Sequence, residues 1–100
     1  MTDEDILEML KTDLQISVMK YDSYLTNIIK LAKAAIQKEG IVLTESDGND
    51  EEASFTIEDG MLVQMYAAYL YRKRREENAA MPRMLRYALN NRLISQKGSS

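Results

Sequence analysis

Apolar residues recur at helical spacing in four stretches of this chain, separated by polar or turn-forming segments. In the first stretch Ile6, Leu10 and Leu14 stand four residues apart with Leu7 beside them. This spacing predicts a helix over about 3–14 with one apolar face. Thr2 followed three residues later by Asp5 predicts a capping-box-like start, and the acids Asp3, Glu4 and Asp5 suit the positive end of a helix. In the second stretch Tyr21, Tyr24, Leu25, Ile28, Ala32, Ala35 and Ile36 follow the i, i+3, i+4, i+7 rule, with Lys30, Lys33 and Lys38 outside the stripe. A helix over about 23–39 is expected, capped by Asp22 or Ser23 and closed by Gly40 in the left-handed position after its last turn.

The pattern breaks after Gly40. Ile41, Val42, Leu43 and Thr44 predict a short extended piece, and 45–53 is an acidic, turn-rich stretch expected to form a surface loop. Helical spacing resumes over about 57–75, where Thr56 and Asp59 repeat the capping-box pattern. Leu62, Val63, Met65, Tyr66, Ala67, Ala68, Tyr69, Leu70 and Tyr71 make this helix apolar almost all round, so it must be covered on more than one side. A partner copy is one way to supply the second cover. The fourth helix is expected to begin at Pro82, a good first-turn residue, with Leu85, Ala88, Leu89 and Leu93 as a narrow apolar stripe and Arg83, Arg86 and Asn90 on another face. The tail at 98–100 is expected to fray. The pattern predicts an all-α fold: a small bundle of about four helices in a single domain over 1–100, with the acidic loop between helices two and three.

Composition narrows the chemistry. The chain has 100 residues with no cysteine and no histidine. A disulfide framework, a thiolate zinc site, a cysteine nucleophile and the commonest general base are therefore all missing. There is no glycine-rich phosphate loop, and the many carboxylates stand on polar faces where nothing buries them. No enzymatic activity and no cofactor is expected. Asp47, Asn49, Glu51 and Glu58 fall at EF-hand-like positions, but Glu52 stands where the sharp turn requires glycine, so a solvated loop is the better account and no metal site is expected. No apolar run approaches membrane-spanning length, and the first residues are acidic where a secretory signal is basic, which predicts a soluble intracellular protein with no membrane partner. The methionines, seven in all, are mostly gap-fillers at helical spacing; Met81 and Met84, flanking Pro82 and Arg83, are candidates for an adaptable contact surface.

The net charge of −3 hides a division. Residues 1–60 carry fourteen acids against five lysines, a net of −9, and residues 61–100 carry eight lysines and arginines against two acids, a net of +6. Such a division bears on association. The basic half, with Arg72, Lys73, Arg74, Arg75, Arg83, Arg86 and Arg92, suits phosphate contacts, and a small helical DNA-binding regulator is the alternative function. Against it, the connection from Arg75 to Pro82 is longer than a helix-turn-helix turn, and the fourth helix needs Leu85, Leu89 and Leu93 for packing.

The run from Leu62 to Arg74, followed by Met81-Pro82-Arg83-Met84-Leu85-Arg86-Tyr87-Ala88-Leu89-Asn90-Asn91-Arg92-Leu93, resembles the C-terminal half of the gp6-like head–tail connector (adaptor) family of siphophages. The opening helix, the polar break after Leu14 and the long second helix ending near Gly40-Ile41 are similar to the family's N-terminal half. The resemblance implies a structural virion protein at the head–tail junction, assembled in the cytoplasm of the bacterial host. It implies a homo-oligomeric ring that docks under the portal, extends the DNA channel after packaging and offers an attachment surface to a stopper or tail-completion protein. Packaged DNA would pass through without sequence-specific contact. On that basis Tyr66, Tyr69, Leu70, Arg72 and Arg74 are the expected subunit interface. Met81, Arg83, Met84, Arg86, Asn90 and Arg92 are the expected docking residues for the portal or another partner, although Arg83, Arg86 and Arg92 suit acids of a neighbouring subunit equally well.

Overall fold

The capping box foreseen at Thr2 is present. The Asp5 amide donates to Thr2 Oγ1 at 3.1 Å, and the Thr2 amide donates to Asp5 Oδ2 at 3.0 Å. Hydrogen bonds from Thr2, its amide foremost and then its side chain, hold the Asp5 carboxyl below its ordinary range. They start the first helix of the computed structural model, which describes residues 1–43, 55–76 and 78–98. Four helices stand among the described residues: α1 over Asp3–Asp13, α2 over Asp22–Lys38, α3 over Ile57–Arg75 and α4 over Arg83–Gly98. The acidic stretch between α2 and α3, with Asp47, Asn49 and Glu51 of the EF-hand-like pattern, lies outside the described residues, as do Ser99 and Ser100 of the tail.

The helix ends show how local signals are used. α1 closes with Gln15 at φ +58°, its amide bonded to the Thr12 carbonyl at 3.2 Å and the Ile16 amide to the Lys11 carbonyl at 2.8 Å. This is a Schellman closure with glutamine where glycine is usual. α2 closes on Gly40 at φ +100°, as its sequence predicts, with the Gly40 amide bonded to the Gln37 carbonyl at 3.0 Å. The expected cap at Asp22 or Ser23 is not formed. A 3-10 turn at Met19–Tyr21 leads directly into α2, and Asp22 instead pairs with Lys11 of α1 at 2.8 Å. At α3 only half of the expected box forms: the Asp59 amide donates to Thr56 Oγ1 at 3.2 Å, while the Asp59 side chain turns toward α4.

Ile41 and Leu43 are buried and Val42 is exposed, the alternation of an extended segment. Among the described residues no strand pairs with it. The Gln96 side chain of α4 serves instead, its Nε2 donating to the Val42 carbonyl at 2.6 Å and its Oε1 accepting from the Val42 amide at 2.9 Å. The Met1 ammonium donates to the Phe55 carbonyl and the Phe55 amide to the Met1 carbonyl, so the start of the chain lies against the segment leading into α3. Gly60 accommodates this approach, since a Cβ there would come within 2.6 Å of the Met1 sulfur.

α3 is the centre of the bundle and packs against α1, α2 and α4. Its buried residues include Leu62, Val63, Tyr66, Ala67, Ala68 and Tyr69, spread around the helix. They meet Ile6 and Leu10 of α1, Leu25, Ile28, Ile29, Ala32 and Ile36 of α2, and Leu85 and Leu89 of α4 in one cluster. Burying each such Leu or Ile contributes about 1.5–3 kcal/mol. The second cover that the apolar pattern of α3 demands is thus supplied by this chain's own helices. α1 runs alongside α3 in the same direction, since Met1 lies at Gly60 and Asp13 pairs with Arg72 at 3.6 Å.

Candidate functional site

The last turn of α3 carries Arg72, Lys73, Arg74 and Arg75, all exposed, where cations complement the negative end of a helix. Arg72 is tied to Asp13, which also accepts from the Gln64 amide at 3.2 Å. The other three rest on aromatic rings. Lys73 Nζ lies 5.7 Å from the centre of Tyr69, Arg74 Cζ 5.6 Å from that of Tyr24, and Arg75 Cζ 5.5 Å from that of Tyr71. Arg75 also donates to the Tyr71 hydroxyl at 2.7 Å and Arg74 to the Tyr24 hydroxyl at 3.4 Å. The Tyr24 and Tyr71 rings meet edge to face with centroids 6.3 Å apart. Among the described residues, Lys73, Arg74 and Arg75 have no ion-pair partner within 4.0 Å. Tyrosine orients these cations without neutralising them.

Beside this cluster a groove of about 380 Å³ opens between α2 and α3, lined by Ile28, Leu31, Ala35, Leu70, Lys73 and Arg74. Its lining is apolar with two cations at the edge, and Leu31 is half exposed. Leu70, expected at a subunit interface, lies here, partly buried. Tyr66 and Tyr69 lie beneath the surface, 8% and 9% exposed, with their rings edge to face at 5.8 Å. Burial, followed by the nearby Glu39 carboxylate, pushes the Tyr66 phenol above its ordinary value. Tyr69 acts on the surface through Lys73, which it supports from below.

The residues expected to dock a partner divide on α4. Arg83, Met84 and Asn90 are exposed, Met84 at 74%. Met81 is half-buried and packs against the core. Arg86 leans back to Glu39 at 3.4 Å. Arg92 is held by a fork: its Nε lies 3.0 Å from Asp59 Oδ1 and its Nη2 donates to Asp59 Oδ2 at 3.2 Å. Asp59 is 0% exposed, so Arg92 is the charge partner of a fully buried carboxylate. Sequence reasoning took Asp59 for a cap and so left its partner unassigned. It also passed over Ile94, and gave Tyr87 no place in the docking set; the two are 67% and 60% exposed and lie seven residues apart on the outer face of α4, clear of the Leu85–Leu89–Leu93 stripe. With Met84 they stand at i, i+3 and i+10, a spacing that was legible as a second apolar line. Between that face and α3 lies a further groove of about 450 Å³, lined by Met61, Leu62, Met65, Ala88, Asn91 and Ser95 with Glu58 and Arg92.

The described surface thus carries apolar grooves between helices and oriented cations on a helical bundle. Among the described residues no helix is long and apolar enough to cross a membrane. The family model for the phage gp6-like head-tail connector protein matches residues 4–94, and the chain belongs to that family. It is a structural protein of the virion that connects head and tail. Neither a curated protein nor a solved structure matches the chain.

Proposed function

We propose that this chain assembles as a homo-oligomeric ring under the portal of the filled head, continues the DNA channel and presents the surface on which a stopper or tail-completion protein seats. The observation that carries this reading is the family match, which spans α1 through nearly all of α4. The ring requires a heterologous contact, one surface of a copy meeting a different surface of the next. Leu70, Arg72 and Arg74 are the interface residues with surface to offer, and Tyr66 and Tyr69 support them from within. Docking to the portal or the tail component falls to the outer face of α4, where Arg83, Met84, Tyr87, Asn90 and Ile94 are exposed. Met81 anchors the start of that face, while Arg86 and Arg92 hold α4 to the bundle. DNA passes along the ring without base-specific contact.

The test is negative-stain microscopy of the purified protein alone and mixed with portal-bearing heads, with a variant carrying Arg83→Glu and Tyr87→Asp. Both positions are exposed, so the variant is expected to melt as the wild type does and to attach poorly to heads. A folded variant that completes heads normally removes the α4 face from the docking surface. A wild-type protein that never attaches to portal-bearing heads overturns the connector role for this chain.

A further inference from the structure

We propose that the tyrosine-supported cations and the α2–α3 groove of one copy receive the acidic first turns of α1 from a second copy, so that copies join head to tail. The proposal rests on the ring reading above and names the two surfaces that meet.

The acids are spare in the way the cations are spare. Glu4 and Glu8 are exposed and stand i, i+4 apart on α1, a like-charge pair that costs an isolated helix a few tenths of a kcal/mol, about 0.2–0.5. Among the described residues, neither has an ion-pair partner within 4.0 Å, whereas Asp3 is held by Lys33 and Asp5 by the Thr2 cap. At the other pole Lys73 and Arg74 edge the groove and are held ready by Tyr69 and Tyr24. Within one chain Glu4 does not reach Lys73. α1 begins beside Gly60, and Lys73 lies thirteen residues further along α3, about 20 Å away at the rise of an α-helix.

One molecule therefore presents unmatched acids at one end and unmatched cations with an apolar groove at the other. A second copy satisfies both ends at once and leaves both ends free to continue. That is a heterologous contact, and it closes into a ring when the rotation per step divides a full turn. Leu7, between Glu4 and Glu8 and only partly buried, offers the apolar contact that Leu31 and Leu70 require. The apolar lining favours a protein segment over a phosphate backbone, which would leave that lining wet.

Two measurements test this. Reversing the acids (Glu4→Lys with Glu8→Lys) or the cations (Lys73→Glu with Arg74→Glu) is expected to weaken self-association about a hundredfold, since like charges then face each other. Thermal melting should barely change, because all four side chains are exposed. Mixing the two reversed proteins is expected to restore assembly, because each acidic end again meets a basic one. Assembly is read by sedimentation at low salt and by microscopy on portal-bearing heads. The chain has no native cysteine, so Glu4→Cys with Lys73→Cys gives a clean second measurement. Oxidation on heads is expected to give a ladder of covalent multimers, since a disulfide forms only between Cα atoms within about 7 Å.

A mixture that stays unassembled overturns the proposal. So does a cysteine pair that gives no multimers on heads that carry the protein, an outcome that leaves the connector role standing and assigns the groove to the portal or tail component. Loss of DNA retention with copy–copy contact intact also overturns it, in favour of phosphate as the ligand of the cations. Failure of the wild-type protein to attach to heads is a different result and removes the ring reading itself.

Discussion

Arg92 and Arg74 belong to the same basic half of the chain, and the fold uses them in opposite ways. Arg92 reaches back across the α3–α4 contact and forks onto Asp59, a carboxylate with no solvent exposure. Arg74 lies on the ring of Tyr24 at the mouth of an apolar groove and has no carboxylate beside it among the described residues. The first arginine is part of how the bundle holds together, because a buried carboxylate without a partner is strongly unfavourable. The second is oriented yet electrically unspent, which suits a surface waiting for an acid. The same residue type in the same charge block therefore says nothing of its role until its neighbours are known.

The largest effect that separates the two should come from Arg92→Ala. It removes the fork on a buried carboxylate and is expected to cost about 3–5 kcal/mol of stability, measured as a drop in the urea midpoint. A loss below about 1 kcal/mol, the range of exposed ion pairs, would put Arg92 in the same class as Arg74.

An intermediate effect is expected on raising the pH. The folded state holds the Tyr66 phenol above its ordinary value of 10.0, so beyond that pH the unfolded chain loses the proton first. The folded chain then binds more protons than the unfolded one, and stability falls as pH rises further. Tyr66→Phe should remove this contribution, so above pH 10 the melting temperature of the variant should fall less steeply than that of the wild type. Parallel curves would show that Tyr66 is not the titrating group.

The smallest effect is expected from Arg74→Ala and Arg75→Ala. Each loses a cation–π contact and a hydrogen bond to a tyrosine at an exposed site, about 0.5–1 kcal/mol at most. Their urea midpoints should stay close to wild type while assembly on heads weakens. A large loss of stability from either would make this cluster a structural device like the Arg92 fork.

Much of the fold was legible along the chain because its signals are local. Thr2 with Asp5 started α1 and Gly40 ended α2, since capping and left-handed backbone depend on residues a few positions apart. The left-handed closure at Gln15 carried no such mark, because glutamine is not a residue that advertises it. The capping role of Asp59 was half visible: its amide is bound by Thr56, three residues away, but its carboxylate by Arg92, 33 residues away. No periodicity reports a pair of that separation. The candidate site was legible to the same degree. The exposed Arg74, Arg83, Met84 and Asn90 stood out as basic or out-of-stripe positions, whereas Tyr24 and Leu31 joined the surfaces only once the helices were packed.

Tyr66 and Tyr69 mark the boundary between the two kinds of knowledge. By itself the sequence determined that α3 must be covered nearly all round, because apolar side chains on every face of a helix have no other favourable place. It also determined four helices, the caps at Thr2, Thr56 and Gly40, and the division of charge into an acidic first part and a basic second part. Only the tertiary structure decided what does the covering. α1, α2 and α4 enclose α3 within one chain, which takes Tyr66 and Tyr69 out of the surface and leaves the α2–α3 groove and the outer face of α4 for contact. The physical reason is that burial is non-directional: a pattern fixes how much surface must leave water, and packing fixes against what.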